Sequence, residues 1–296
     1  MNIGVIGLKG AWSTESLSQQ LKEKNAGGTV IELSEISYDL SNATFFHPLH
    51  DINSFDGFIL KKLGRSYSPS LLDELEMLQY MERKGFHFFS SPTSIRKMIS
   101  RLSCTIVLRD NDIPMPPTFI TENIEAALHY IAQCGEAILK PLYSTKARGM
   151  ELLSDVDSAR IKLQAYLDRG EKIIYLQQKY DLNQSDYGLV FLGGKYIGAY
   201  EREGDGSTWH TTTREGGKYK AFEPPESFIE LAEKAQRPFK LDFTCVDVAN
   251  TQEVGPVVFE VSAFGGYRGL YQSAGIDASD MLTTYAINRL KDHAEN

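Results

Sequence analysis

Two apolar runs follow one another near the C-terminus, Lys240-Leu-Asp-Phe-Thr-Cys-Val-Asp247-Val and Pro256-Val-Val-Phe-Glu260-Val-Ser262. Both are rich in Val and Phe and are separated by turn residues, so we expect two buried strands joined as a hairpin. Such a hairpin would bring Asp247, Glu260 and Ser262 together. An ionised carboxylate among apolar neighbours costs several kcal/mol unless it is paired or bound to a metal. Three oxygen ligands without His or Cys suit Mg²⁺ better than Zn²⁺, so the hairpin predicts a magnesium site that anchors a nucleotide phosphate.

The same two carboxylates have a second interpretation. Asp247 and Glu260 would then lie on a solvated face of the sheet and pair with Lys or Arg, because structural ion pairs are common. The two runs alone do not separate these interpretations. The remaining motifs of the chain favour the metal site.

Composition places the chain among globular proteins. Its 296 residues are 42% hydrophobic and 11% aromatic, which is enough for one large core or a few small ones. The formal net charge is -8, and the Lys and Arg residues are scattered, which argues against a nucleic-acid partner. Cys104, Cys134 and Cys245 are far apart and lack metal-ligand spacing, which fits a reducing compartment. With no signal-peptide pattern and no membrane-length apolar run, we expect a soluble cytoplasmic protein without a membrane partner.

Strands alternate with helices over about the first 90 residues, which predicts a small parallel-sheet domain. Neither common nucleotide motif is present there. Gly4, Gly7 and Gly10 have the wrong spacing for GxGxxG, and GLKGAWST lacks the Gly-Lys-Ser/Thr ending of a P-loop. One helix is expected over about 94–109, and the prolines that follow it cannot continue it. We place a domain boundary near residue 95.

A cation ends the apolar strand Ala137-Ile-Leu-Lys140, before the loop Tyr143-Ser-Thr-Lys-Ala-Arg-Gly149. This loop has small hydroxyl residues, two more cations and a glycine, and is suited to lie over phosphates through backbone N–H groups and charge. The alternative is a surface lysine whose stem lies along the strand end, followed by an ordinary loop.

A second apolar strand, Ile173 to Gln178, has an edge that can offer backbone groups to adenine. Asp186 follows it, at the start of a predicted hairpin with a Gly193-Gly194 turn, and is placed for ribose hydroxyls. A polar, glycine-rich segment containing Arg214 comes next.

The order of these features resembles the ATP-grasp superfamily, especially its RimK-like carboxylate–amine ligases, over nearly the whole chain. The strings that carry a closer resemblance, to GAK-system ATP-grasp enzymes, are LLDELEMLQYMERKG, RLSCTIVLRDNDIPMPPTFIT, AILKPLYSTKARGM, VFLGGKYIGAY, GGKY, FTCVDV and VVFEVSAFGGYRGL. The closer resemblance implies no particular substrate. The fold implied is α/β, an ATP-grasp fold with an N-terminal Rossmann-like pre-ATP-grasp domain. The implied domains are the pre-ATP-grasp domain 1–95, the central lid subdomain 96–181 and the C-terminal catalytic subdomain 182–296.

The resemblance also implies a role for each site residue. The implied catalytic residues are Lys140 on a nucleotide phosphate and Arg214 on the transferred phosphate or tetrahedral intermediate. The residues themselves add Arg268, which stands beside a glycine-rich segment suited to binding the acceptor carboxylate. The implied nucleotide-binding residues are Arg101, Lys140, Ser144, Thr145, Lys146, Gln177, Gln178, Lys179, Tyr180 and Asp186. The implied metal ligands are Asp247, Glu260 and Ser262.

Three positions depart from the family pattern. Ser262 stands where RimK-like enzymes carry Asn, and its hydroxyl is a weaker metal ligand. Gln178 replaces a Glu found in many relatives, which puts a side-chain contact with adenine in doubt. The phosphate loop carries Lys146 and Arg148 with a single glycine, so we expect it to be stiffer and to contact substrate as well as phosphate.

The implied reaction uses ATP and Mg²⁺, with Mn²⁺ as an alternative ion. The γ-phosphate passes to a carboxylate of a small molecule or peptide, an amine attacks the acylphosphate, and ADP and phosphate leave. Relatives often form homodimers or tetramers, so a homo-oligomer is compatible with the resemblance and the oligomeric state stays open. Two alternatives stay open, a small-molecule kinase and an ATP-binding module without catalysis.

The roles of two groups of residues that could contact the substrate also stay open. Residues 263–269 form either a backbone nest with Arg268 beside it or a glycine-rich turn that packs its aromatic residues. Lys61, Lys62, Arg65 and Tyr67 line the acceptor side or belong to the ordinary surface.

Overall fold

The computed structural model describes residues 1–206, 208–211 and 216–295. Within these ranges the chain forms three larger sheets, of four, four and five strands, and a two-stranded hairpin. The α/β class is therefore confirmed. Each larger sheet draws its strands from one of the three predicted segments, and the boundaries at residues 95 and 181 stay predictions. None of the described helices is long and apolar enough to cross a membrane.

The first sheet is parallel and has the strand order β2-β1-β5-β6, as the alternating pattern predicts. The elements of this region are β1 (Ile3–Ile6), α1 (Trp12–Glu23), β2 (Gly27–Ile31), β3 (Ser37–Asp39), β4 (Thr44–Phe46), β5 (Gly57–Leu60), α2 (Leu71–Arg83), β6 (Phe88–Phe89) and α3 (Pro92–Arg96). Strands β1 and β5 are buried along their whole length, which explains their unbroken apolar sequences.

The single helix predicted over about 94–109 is wrong, because the segment forms two helices. Helix α3 ends at Arg96, and α4 covers Arg101–Asp110. The break occurs at Ser100, whose backbone is extended and whose hydroxyl accepts a hydrogen bond of 3.4 Å from the amide of Ser103. A serine in this position satisfies an N–H group that a helix start leaves without a partner. Arg101 thereby becomes the first residue of α4.

The second sheet is antiparallel, with the strand order β7-β10-β8-β9. Its elements are β7 (Thr118–Thr121), α5 (Ile124–Cys134), β8 (Ala137–Leu139), β9 (Glu151–Leu153), α6 (Val156–Asp168) and β10 (Ile174–Gln178). Helices α5 and α6 bury Leu128 and Leu163 against Leu176 of β10 and form a separate small core. Lys140 follows β8 directly.

The third sheet is antiparallel and has the order β13-β12-β11-β14-β15. Its elements are β11 (Ser185–Leu192), β12 (Lys195–Glu203), β13 (Lys218–Ala221), α7 (Glu226–Gln236), β14 (Phe243–Thr251), β15 (Gly255–Ser262), α8 (Tyr267–Ala274) and α9 (Ala278–Ala294). The hairpin predicted from the two apolar runs is confirmed as β14 and β15.

A β-bulge in this hairpin sets the position of the two carboxylates. On the turn side of the bulge Val248 pairs with Val258, and beyond it Asp247 pairs with Glu260. Without the extra residue Phe259 would oppose Asp247, and Glu260 would point to the other face of the sheet. The bulge therefore places both acids opposite each other on one face.

Tyr200 of β12 lies across β11 on that same face and needs a glycine beneath it. Its hydroxyl is 3.5 Å from Sγ of Cys245 on β14, so the ring spans the strand between them. A Cβ atom added at Gly188 would lie 2.3 Å from the ring, and one added at Gly269 of α8 would lie 2.6 Å from it. The tyrosine is thus held between two glycines.

Gly188→Ala is expected to lower the free energy of unfolding by about 1–3 kcal/mol, because a buried ring on rigid strands has little room to move. Urea denaturation followed by circular dichroism measures the change. Gly64→Ala is the control, since its nearest contact would be an ordinary 3.5 Å. Equal unfolding free energies for the two variants would contradict the packing argument.

Candidate active site

Asp247 and Glu260 lie on adjacent strands at the centre of the candidate site. Glu260 is 40% exposed at its side chain and lines a pocket with Arg101, Ser144 and Ser262. Burial raises the pKa of Asp247 to about 6, and the neighbouring Arg202 guanidinium opposes this shift. Ser262 is two residues from Glu260 and therefore shares its face of the sheet.

Both acids lie beside a guanidinium. Arg202 Nη2 is 3.1 Å from Asp247 Oδ1, and Arg101 Nη1 is 3.5 Å from Glu260 Oε2. The interpretation in which the acids pair with cations thus describes these contacts correctly. In the described part of the chain no group of three or more His, Cys, Asp or Glu is arranged to bind a metal. The predicted set has only two carboxylates and a hydroxyl, and its metal role stays a prediction.

Sequence reasoning missed Arg202, which links two acids of the site. Counting back from the Gly193-Gly194 turn places Glu201 opposite Asp186. A register shift between Val190 and Phe191 moves the pairing by one residue, so that Arg202 opposes Asp186 instead. Gly198, which pairs with Val190 at the shift, is the signal that the sequence offers, since a glycine inside a strand often marks a bulge.

Asp186, predicted to contact ribose, is only 8% exposed. Nε of Arg202 donates to its two oxygens at 3.0 and 3.1 Å, and the Thr211 hydroxyl donates to Oδ1 at 2.5 Å. A ribose contact would therefore compete with these partners, and the role stays a prediction.

Arg101 connects the pocket to the start of the phosphate loop. Its Nε donates to the carbonyl of Pro141 at 3.2 Å, and its Nη2 donates to the Ser144 hydroxyl at 3.3 Å. Thr145 lines the same pocket. The structure thus brings Arg101, Ser144 and Thr145 of the predicted nucleotide set beside Glu260, while the side chain of Lys146 is exposed on the outer part of the loop.

Lys140 is buried, so the surface-lysine interpretation is wrong. It is 6% exposed, donates to Oε1 of Gln177 and lies 5.0 Å from the ring centroid of Phe259. Burial, together with the charge of Arg101, lowers its pKa to about 7, and the charge of Glu260 opposes this shift. A cation held in this way needs an anionic partner, which fits the predicted phosphate role.

The predicted adenine hinge is held to its neighbours by backbone hydrogen bonds. The amide of Gln178 donates to Pro117 at 2.9 Å, and the amide of Lys179 donates to Glu136 at 3.0 Å. A contact with adenine through either amide would have to break one of these bonds. Tyr180 follows directly, and burial raises its pKa. The adenine roles of Gln177 to Tyr180 stay predictions.

The remaining predicted catalytic residues are Arg214 and Arg268. Arg214 lies outside the described residues. Arg268 is the second residue of α8 and is exposed, and its guanidinium lies 5.3 Å from the centroid of the Trp12 ring on α1. Its role toward an acceptor carboxylate stays a prediction.

Lys61, which follows β5 of the first sheet, contacts the segment that follows Ser262. It is 5% exposed, donates to the carbonyl oxygen of Phe264 and lies 4.0 Å above the ring of Tyr267. Tyr67, from the same region of the chain, lines the pocket beside Glu260. The first sheet thus supplies one side of the site.

The Lys61→Met variant tests this buried contact through its pH dependence. Burial lowers the pKa of Lys61 to about 7, whereas an unfolded lysine titrates near about 10.4. Between these values the unfolded chain binds the extra proton, so wild-type stability should rise with pH, by up to about 1.4 kcal/mol per unit. The methionine variant lacks this contribution.

Urea denaturation at pH 7, 8.5 and 10 measures the difference in the free energy of unfolding between wild type and Lys61→Met. We expect the difference to shift in favour of wild type as the pH rises. The control is Lys195→Met, which changes an exposed lysine at a hairpin turn. A wild-type minus Lys61→Met difference that stays constant over this range would show that Lys61 is not the buried titrating group.

Comparisons with known proteins agree with this architecture. A family model for the RimK-like ATP-grasp domain matches residues 99–286. The tetrahydromethanopterin:alpha-L-glutamate ligase of Methanosarcina acetivorans is 22% identical, and the match covers 94% of this chain and 96% of the relative.

Two solved structures share the fold. The ATP-grasp ligase PsnB, complexed with a phosphomimetic variant of a minimal precursor, Mg and ADP, superposes with a TM-score of 0.75 at 20% identity, covering 97% of this chain and 98% of PsnB. The D-alanyl-alanine synthetase A of Vibrio cholerae has a TM-score of 0.74 at 16% identity, covering 98% of each chain. Since the family match spans more than half of the chain, the protein belongs to the RimK-like ATP-grasp family of carboxylate–amine ligases.

Proposed function

We propose that the protein is an ATP- and Mg²⁺-dependent ligase that joins a carboxylate to an amine through an acylphosphate and releases ADP and phosphate. One observation carries the proposal. Asp247 and Glu260 face each other on one side of the sheet, and the cations Arg101 and Lys140 lie around Glu260. A pair of acids enclosed by cations suits a triphosphate with its metal.

The residues present fit a magnesium ion. Magnesium in phosphate sites commonly has one or two carboxylate ligands, with water and phosphate oxygens completing the shell. Asp247 and Glu260 would hold it, with Ser262 on the same face as a weaker ligand, and Mn²⁺ would accept the same donors. The bound ion would supply positive charge to the phosphate oxygens of ATP.

The cations of the site would neutralise the triphosphate. Lys140 has a lowered pKa because it is buried, and a nearby phosphate would favour its charged form again. Arg101 would contact the same phosphates and already holds the loop through Ser144. The loop with Thr145 and Lys146 would cover the phosphates and exclude water. The hinge at Gln177 to Tyr180 would bind adenine, with Asp186 at the ribose.

The proposed reaction has two steps. A carboxylate oxygen of the substrate attacks the γ-phosphorus, and the bond from that phosphorus to the β,γ-bridging oxygen breaks, releasing ADP. The amine nitrogen then attacks the acyl carbon, the bond to the phosphate oxygen breaks, and the amine proton passes to phosphate or water. The protein contributes position and positive charge rather than covalent chemistry. Arg214 is proposed to stabilise the charge that develops, and Arg268 to bind a substrate carboxylate.

Amino acids or peptides are the proposed substrates. One relative is named as a tetrahydromethanopterin:alpha-L-glutamate ligase, and one structural neighbour was solved with a precursor peptide, which supports this class. The cysteines of the described chain form no disulfide, which supports a cytoplasmic location. A homo-oligomer also remains part of the proposal.

Glu260→Gln is expected to lower Mg²⁺-dependent ADP formation roughly 100-fold or more, because a metal ligand loses its charge. ADP release is measured with pooled carboxylates and amines. Calorimetry of Mg²⁺ with the non-hydrolysable analogue AMPPNP gives a readout that does not need turnover. The matched control is Glu253→Gln, at the turn of the same hairpin. Unchanged ADP release and unchanged Mg²⁺-dependent AMPPNP binding in Glu260→Gln would refute the metal role.

Hydroxylamine distinguishes the ligase from a kinase. An acylphosphate reacts with hydroxylamine to give a hydroxamate, whereas a phosphorylated alcohol does not. Incubation of the protein with ATP, Mg²⁺, pooled carboxylates and hydroxylamine should therefore produce hydroxamates, detected by mass spectrometry. ADP release accompanied by a phosphate ester and no hydroxamate would replace the ligase with a small-molecule kinase.

A further inference from the structure

The buried ammonium of Lys140 has a neutral hydrogen-bond partner. Among the ion pairs between residues that the structure describes, none involves this lysine. Its ammonium donates to Oε1 of Gln177 and lies 5.0 Å from the centroid of the Phe259 ring. An amide oxygen therefore stands where a buried cation would ordinarily have an acid.

Gln177 lies on β10, on the face of the second sheet that α5 and α6 do not cover. Its neighbour Leu176 packs into the core formed with these helices, and successive residues of a strand point to opposite faces. Gln177 is 1% exposed and pairs directly with Thr118 on β7. Lys140 follows β8, which lies on the other side of β10. The glutamine is thus placed between a hydroxyl on one neighbouring strand and an ammonium at the end of the other.

Hydrogen bonds at both ends determine which way the Gln177 amide points. Its Nε2 donates to the Thr118 hydroxyl at 3.2 Å, and that hydroxyl donates to the carbonyl oxygen of Pro116 at 3.0 Å. Because the single hydroxyl proton is used on a carbonyl, the Thr118 oxygen is left to accept from the amide nitrogen. An ammonium has donors and no acceptor, so Lys140 requires the oxygen end of the same amide. The two requirements agree on one orientation.

The series of hydrogen bonds ends on backbone that a further side chain holds in place. Nη2 of Arg109, in the last turn of α4, donates to the carbonyl oxygens of Met115 and Pro116 at 3.1 and 2.8 Å. The Pro116 carbonyl in turn fixes the Thr118 hydroxyl. The position of the Gln177 oxygen is therefore determined from the far side of the sheet, independently of the lysine.

A neutral acceptor affects the lysine differently from an acid. A buried ammonium with no acceptor would lose its hydration without replacement. A carboxylate in the same place would satisfy the ammonium but also neutralise it, and a phosphate would then compete with that carboxylate. The amide oxygen occupies one of the three N–H donors and leaves the positive charge available.

We propose that Gln177 is a positioning residue for Lys140, which, with Thr118 behind it, holds the lysine ammonium toward the triphosphate without neutralising its charge. This inference rests on the proposed function, in which Lys140 contacts a nucleotide phosphate. It assigns the buried side chain of Gln177 to the lysine rather than to adenine. Exchange of the amide for a carboxylate of the same shape should therefore impair nucleotide binding.

Calorimetry of AMPPNP in the presence of Mg²⁺ measures the effect without turnover. Gln177→Met keeps the length of the side chain but removes the acceptor, and should weaken AMPPNP binding about tenfold. Gln177→Glu keeps the shape and should weaken binding about three- to tenfold, because the new carboxylate pairs with Lys140 and repels phosphate. Thr118→Val removes the hydroxyl that orients the amide and should weaken binding about two- to threefold.

A double-mutant cycle shows whether the glutamine acts through the lysine. Lys140→Met alone should weaken AMPPNP binding roughly 30-fold or more, because a phosphate loses its cation. In the Lys140→Met background, Gln177→Met should cause less than about a twofold further loss, since no ammonium is left to position. A purely structural contribution of Gln177 would give the same factor in both backgrounds.

The matched control is Gln133→Met, which changes an exposed glutamine on α5 and should leave AMPPNP affinity within about twofold. Thermal unfolding shows whether the Gln177 variants fold, and the cycle is repeated with Thr118→Val, at a half-buried position.

Two results would overturn the positioning role alone. One is wild-type AMPPNP affinity in Gln177→Glu, and the other is a loss from Gln177→Met or Thr118→Val that is equally large in both backgrounds. Wild-type affinity in Lys140→Met is a separate result. It would remove the lysine from the phosphates and overturn that part of the proposed function together with this inference.

Discussion

The face-to-face pairing of Asp247 with Glu260 is the constraint on which the rest of the site depends. Two carboxylates on adjacent strands repel each other unless positive charge is close. The structure supplies that charge as guanidinium groups, Arg202 beside Asp247 and Arg101 beside Glu260. Each guanidinium makes a second interaction. Arg202 also donates hydrogen bonds to Asp186, and Arg101 also donates one to the Ser144 hydroxyl in the loop after β8. The guanidinium groups that balance the charge of the acid pair therefore also bond to Asp186 on β11 and to Pro141 and Ser144 in the loop after β8.

Much of the fold could be predicted because the deciding signals are local. Alternating strands and helices identified the parallel sheet, the apolar runs identified the β14–β15 hairpin, and the position of Lys140 at a strand end was correct. The break at Ser100 was missed, although serine is one of the residues preferred at a helix N-cap. The apolar residues on both sides of Ser100 suggested one continuous helix, and tertiary packing favoured two.

The hairpin predicted that Asp247 and Glu260 come together, but the register that sets them directly opposite each other, and the partner of Asp186, could not be predicted in the same way. Two one-residue register shifts determine them, one opposing Asp247 to Glu260 and the other opposing Asp186 to Arg202. A shift of one residue reverses the face of every side chain beyond it. Gly198 marks the shift between β11 and β12, whereas no glycine lies at the shift between β14 and β15. The contact of Arg268 with Trp12 likewise depends on how α1 and α8 pack, which the sequence of neither helix specifies.

The position of Tyr200 between Gly188 and Gly269 links three segments that are far apart in the chain. Space for the ring exists only while both positions lack a side chain, so a larger residue at either one requires a smaller residue at position 200. Substitutions at positions 188, 200 and 269 should therefore be correlated among homologous sequences. Homologous sequences that keep an aromatic residue at position 200 should keep both glycines, and those that lose it should be free to vary at the other two positions.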